Sequence, residues 1–250
     1  LIFDGVVENH GTISVSTPEN SSNSNNIIFN NTVQNYSTIS ATKGDITFNS
    51  EINIGSPDST DSASYAKVEA LNGKIIINDN LHIFKPTVFQ GNTDLTNENT
   101  NFSCNSFNSL FFFHNPKPEE ANRKSLKLKD ETNISKLYFA GNVDINVGSN
   151  DTGTLTTEYL AMEIPSPDFT STDDFYIPHN FTANIYGIVN SGNNTPTEKG
   201  INITRCSKTD NIIGTINFKG NITNNNITET HSGTTTNIPE TFSFTTNKFI

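Results

Sequence analysis

Short runs in which every second residue is apolar, and usually β-branched or aromatic, recur along the whole chain. They fall at residues 12–16, 26–29, 45–54, 74–84, 136–147, 182–189, 201–205 and 212–223. A period of two puts alternate side chains on one face, so each run predicts a half-buried β-strand. The stretch 241–250 alternates in the same way and reads as another strand. Many runs open on glycine followed by an Ile/Val-x-Ile/Phe pattern: Gly11-Thr12-Ile13, Gly44-Asp45-Ile46, Gly73-Lys74-Ile75, Gly200-Ile201-Asn202-Ile203 and Gly214-Thr215-Ile216. Between them lie linkers of Asn, Ser, Thr, Asp and Gly, the chemistry of turns.

A second pattern overlies the first. An aromatic-x-Gly-Asn phrase occurs at Val88-Phe89-Gln90-Gly91-Asn92, at Tyr138-Phe139-Ala140-Gly141-Asn142-Val143 and at Asn217-Phe218-Lys219-Gly220-Asn221-Ile222. A looser Phe-x-x-Asn begins at Phe102, Phe112 and Phe181. A recurring phrase of this kind predicts one supersecondary unit stacked many times. In such a stack Phe89, Phe139 and Phe218 would fill a column, and Gly91, Gly141 and Gly220 would permit bends. Asn92, Asn142 and Asn221 would hydrogen-bond to their counterparts or to backbone.

Two all-β architectures suit this spacing, a parallel β-solenoid and an antiparallel β-sandwich. Hairpins of a sandwich favour two-residue Asn-Gly or Asp-Gly loops, and only Asn72-Gly73 has that role here. The glycine-initiated strands favour the solenoid, as a single segment spanning residues 1–250. Rungs of about 20–25 residues would make about ten rungs and a column about 50 Å long. Two stretches break the rhythm and predict loop excursions. Residues 114–136 hold six of the 15 basic residues, and Pro118-Glu119-Glu120 there permits a short helix. Residues 163–180 form a Pro-bounded acidic stretch.

Composition sharpens this picture. Ile and Phe dominate the apolar set, with 18 Phe, while Asn, Ser and Thr compete with helical backbone for hydrogen bonds. Long helices are not expected. A net charge of -11 argues against nucleic acid, because phosphate binding needs a surplus of Lys and Arg. No apolar run reaches the roughly 20 residues of a membrane-spanning helix. The opening Leu1-Ile2-Phe3-Asp4-Gly5, without Met, reads as a mature or internal segment of a longer protein.

Candidate chemistry is sparse. Polysaccharide-cleaving solenoids bring two or three carboxylates together on one face, and Asp168, Asp173 and Asp174 are the candidates, with Asp58 and Asp61 scattered elsewhere. Neighbours such as Asp173 and Asp174 point opposite ways in a strand, and neither Arg123 nor Arg205 lies beside an acidic cluster in sequence. His10, His82, His114, His179 and His231 stand isolated, so no metal or cofactor is expected. Cys104 and Cys206 would lie several rungs apart in a solenoid, too far for a disulfide. The run Leu110-Phe111-Phe112-Phe113 is apolar on both strand faces. It predicts either a strand covered on its outer side by the 114–136 excursion or an exposed adhesive patch. The basic cluster beside it would be a solvated loop or a dock for anionic glycans.

The Phe-x-x-Asn phrases at 89–92, 139–142 and 218–221, set in an Asn/Ser/Thr/Gly-rich chain, resemble the passenger domains of bacterial autotransporters. Among these the polymorphic outer-membrane proteins of chlamydiae are most similar in motif. Gly44-Asp45-Ile46-Thr47-Phe48-Asn49 and Gly73-Lys74-Ile75-Ile76-Ile77-Asn78 are similar to filamentous-haemagglutinin repeats. The resemblance covers residues 88–223, and the Gly-Gly-Ala-Ile tetrapeptide of the chlamydial proteins is missing. It implies a right-handed parallel β-helix, secreted or exposed at the bacterial cell surface, that serves attachment in virulence without catalytic residues. The implied partners are a host-cell receptor, a glycan or a sister adhesin molecule, with the outer-membrane barrel outside this segment. The alternatives are a carbohydrate-active β-helix (glycoside hydrolase, lyase or spike depolymerase) and a β-sandwich module of carbohydrate-binding or pilin type.

Overall fold

The computed structural model describes residues 1–18, 20–58, 65–104, 110–115, 122–161, 180–191, 200–204, 213–220, 222–224, 227–230 and 243–244. The described chain is all-β, with no helix, and every ladder pairing in it is parallel. The chain visits three ladders in turn. Ile2–Phe3, Val7–Asn9 and Thr12–Val15 open ladders one, two and three, and they pair with Ile27–Phe29, Val33–Asn35 and Thr38–Ala41 of the next circuit. Ile46–Phe48 and Ile52–Ile54 then extend ladders one and two, and Ala66–Ile77 extends ladder three before crossing to ladder one. Thr87–Asp94 makes the same crossing, which joins these two ladders into one sheet of nineteen strands. Five strands of ladder two, from Val7–Asn9 to Phe102–Ser103, form a separate sheet.

The alternation of the sequence becomes the wall of the molecule. Strands Ile27–Phe29, Ile46–Phe48 and Ile52–Ile54 each show a buried, half-buried, buried pattern. Because the register is parallel, like residues stack along the interior: Ile27, Ile46, Ile75, Thr93, Leu126, Ile145 and Ile185 form one row of ladder one. Phe3, Phe29 and Phe48 form another, with ring centroids 5.0 Å apart and planes within 7° of parallel. Phe29 and Phe48 are wholly buried, each contributing about 1.5–3 kcal/mol of apolar burial.

Corners bring backbone close to backbone. A Cβ built on Gly73 would lie 2.1 Å from the Gly44 carbonyl oxygen of the preceding circuit, so the glycine-initiated strand is a packing requirement. Asn72-Gly73, which a sandwich would use as a hairpin, lies inside the strand Ala66–Ile77 and turns the chain from ladder three to ladder one. The antiparallel sandwich is thereby overturned: the polar linkers redirect the chain instead of reversing it.

Two further expectations are modified. Circuits are not of uniform length, since equivalent side chains lie 19, 29, 19, 40 and 33 residues apart at successive contacts. Within the stretch 114–136, only residues 116–121 lie outside the described chain, so the helix considered at Pro118 falls beyond it. Lys124–Leu128 and the start of Glu131–Ala140 are ladder strands with buried alternate residues, so most of that stretch is wall and not excursion. Leu126 and Leu128 in the core explain why. The acidic stretch 163–180 lies, apart from Asn180, outside the described residues.

Candidate functional site

The repeated phrases place their residues as architecture. Phe89 and Phe139 both register with Phe113 in one fully buried row of ladder three. Gly91 turns the corner to ladder one with φ 110°, and a Cβ there would meet the Ala70 carbonyl oxygen at 2.2 Å. Asn92 Oδ1 accepts the Ser125 N–H at 3.0 Å, and Asn142 Oδ1 accepts that of Thr182 at 2.9 Å. These asparagines therefore tie one circuit to the backbone of the next and do not pair with each other. The third phrase is out of phase: Phe218 belongs to ladder one, opposite Ile185, and Gly220 follows at a different corner. Asn221 lies outside the described residues.

The asparagine ladder that does exist uses other residues. At the corner after ladder one, Asn30 Nδ2 donates to Asp4 (2.8 Å), Asn49 to Asn30 (2.9 Å), Asn78 to Asn49 (2.9 Å) and Asn97 to Asn78 (3.3 Å). An ionised carboxylate only accepts, so Asp4 orients the whole series. Asp144 starts a second series through Asn184 (2.7 Å) and Asn217 (3.0 Å). A third contact is buried, from Asn9 Nδ2 to Asn35 Oδ1 at 2.7 Å.

Three of the six basic side chains of 114–136 are drawn into the wall, while Lys127 stays exposed and Lys117 lies outside the described residues. Arg123 Nε donates to Asp144 at 2.8 Å, and its terminal nitrogen donates to the Thr182 and Val143 carbonyls. Lys124 Nζ reaches the Leu71 carbonyl (2.9 Å), and Lys129 Nζ reaches those of Glu98 (2.7 Å) and Thr100 (2.8 Å). Cations committed to corner carbonyls are poorly placed to recognise an anionic glycan. Phe111, Phe112 and Phe113 are all 0 % exposed, so the aromatic run is covered on both faces and is no adhesive patch.

Asp168, Asp173 and Asp174 lie outside the described residues, as do Asp61, Arg205, Cys206, His179 and His231. Asp58 is exposed at a turn, its N–H donating to Ser56 Oγ. Cys104 is fully buried in the core. Among the described residues no group of three or more His, Cys, Asp or Glu side chains has metal-binding proximity.

Chemistry-bearing side chains do gather on the outer face of ladder two. Register aligns Glu8, Gln34, Asn53, His82 and Ser103 in one outward row. His82 Nδ1 shares a hydrogen bond of 2.6 Å with Ser103 Oγ, and its Nε2 stands 3.7 Å from Glu51, whose carboxylate accepts from Asn53 Nδ2 at 2.7 Å. The longer gap exceeds a hydrogen bond, so the ring is positioned by Ser103 first. Two aromatic contacts flank the row: His10 stacks on Tyr36 at 4.4 Å and His82 on Phe84 at 6.1 Å. In sequence these histidines look isolated because Ser103 and Glu51 reach His82, and Tyr36 reaches His10, through register, whereas only Phe84 and Glu8 lie within two residues of them.

No protein-family model, curated protein or solved structure matches the chain.

Proposed function

We propose that the three ladders wind as one right-handed parallel β-helix, and that the chain is an adhesin-like passenger segment, secreted or exposed at a bacterial cell surface, acting by attachment and not by catalysis. Parallel strands joined by crossovers in one sheet are right-handed in about 98% of cases, which supports the handedness. The observation that carries the functional reading is the coil-to-coil register, which lines outward side chains into long rows. Rows of equivalent groups make many weak contacts with a receptor, a glycan or a sister molecule, and repetition supplies avidity without a deep pocket. The acidic net charge of -11 suits a neutral or basic partner.

The test is saturable binding of the labelled chain to cultured epithelial cells, with apparent affinity rising when the chain is displayed in several copies on a bead. Absence of saturable binding in both formats overturns the reading. A parallel arm incubates the chain with neutral and acidic polysaccharides. Release of new reducing ends by the wild type, lost in Asp168→Ala, Asp173→Ala or Asp174→Ala, would replace attachment by glycan cleavage.

A further inference from the structure

We infer that the outer face of ladder two, over its first four strands, is a binding strip for a neutral linear glycan laid across the coils. This deepens the attachment reading and rests on it. Gln34 and Asn53 present planar amides on adjacent strands, about 4.8 Å apart. Glu51, two residues before Asn53, accepts from its Nδ2, and Gln34 Nε2 donates to the Gly55 carbonyl, which leaves amide and carboxylate oxygens to face outward. Sugar hydroxyls donate and accept in turn, and such flat groups are their natural partners. The stacked His10–Tyr36 pair, its rings within 5° of parallel and its imidazole the exposed member, and Phe84, half-buried beside His82, place rings at the edge of the polar row. Ring faces of this kind pack against the C–H faces of a pyranose, and polar rows fix its hydroxyls.

Charge decides which glycan. The strip carries Glu8 and Glu51, with side chains 62 % and 39 % exposed. The neighbouring cation, Lys85, is buried and directs Nζ to the Tyr36 carbonyl at 3.2 Å. These two carboxylates, faced by His10 at 2.8 Å and His82 at 3.7 Å, disfavour sulfated or uronic chains and leave neutral ones unopposed. The side-chain row runs along the coil axis, so a longer glycan spans more coils and gains affinity with length until the strip is filled.

The experiment measures binding of the 250-residue chain to β-1,4-linked glucose and N-acetylglucosamine dimers, tetramers and hexamers, with heparin as the acidic comparison. Affinity is expected to rise from dimer to tetramer, to level off at the hexamer because four strands span only about 14 Å, and to exceed that for heparin. Tyr36→Ala, and separately the pair Gln34→Ala and Asn53→Ala, should each weaken hexamer binding by about tenfold. Asn49→Ala, on a different corner, should leave it unchanged, and circular dichroism of each variant checks the fold. Equal binding by wild type and both strip variants overturns the proposal, as does a preference for heparin. If the chain adheres to cells but binds none of the neutral oligomers, the strip fails while the attachment reading stands. Oligomer binding without cell adhesion supports the strip and sinks attachment.

Discussion

Asparagine is the residue on which this molecule leans, and burial separates its two uses. Asn35 is wholly buried; its Oδ1 accepts from Asn9 and its Nδ2 donates to the Ser37 carbonyl at 3.0 Å. Removing it leaves buried partners short of a hydrogen bond, at a cost of about 1–3 kcal/mol. Asn49 makes equally short contacts in an exposed ladder, where water replaces a lost amide and the cost falls to about 0.5 kcal/mol or less. Urea titrations of Asn35→Ala and Asn49→Ala should therefore show a clearly lowered midpoint for the first and a nearly unmoved one for the second. Equal shifts would mean that the ladders contribute as one cooperative system.

At the scale of the element, the corners decide what a strand can be. Gly91 combines φ 110° with a carbonyl oxygen 2.2 Å from its missing Cβ, so Gly91→Ala forces both strain and a backbone clash. A loss of about 1–3 kcal/mol for the conformation alone, plus displacement of the Ala70 strand, should lower the melting temperature markedly. Gly11 opens a strand of the same pattern, yet nothing lies within 4 Å of its Cβ position. Gly11→Ala should leave the melting temperature unchanged or raise it, by up to about 1 kcal/mol of reduced unfolded-state freedom. Thermal melts followed by circular dichroism check both, and a fall for Gly11→Ala as large as for Gly91→Ala would refute the corner argument.

The same contrast marks what was legible in the chain. Alternation reveals the strands, and glycine at the strand starts points to close parallel stacking, because both are local consequences of the pleat and the corner. Register is not local. Phe218-Lys219-Gly220 reads like the phrases at Phe89 and Phe139 but sits on another ladder, since the intervening circuits differ in length. For that reason Arg123 with Asp144, and His82 with Ser103 and Glu51, are invisible to spacing: the partners of Arg123 and His82 lie one circuit away, across linkers of variable size.

For the whole molecule, the decisive property is that each circuit touches mainly the ones before and after it. Stability in such a stack is approximately a sum of circuit terms and neighbour terms, so damage should stay local. Phe48 provides the test, because its ring is fully buried against Phe29 and its strand pairs with both Ile27–Phe29 and the Ile75–Ile77 end of Ala66–Ile77. Phe48→Ala opens a cavity costing about 3–5 kcal/mol, and the nearest-neighbour picture assigns nearly all of it to those strands. Hydrogen exchange should quicken at Ile27–Phe29, Ile46–Phe48 and Ile75–Ile77, while Val143–Val147, several circuits further along the same ladder, keeps its protection. Uniform quickening along the ladder would show that the coils open as one unit. The rows of outward side chains would then be lost all together, and an attachment surface that yields locally while the rest holds its register would have no physical basis.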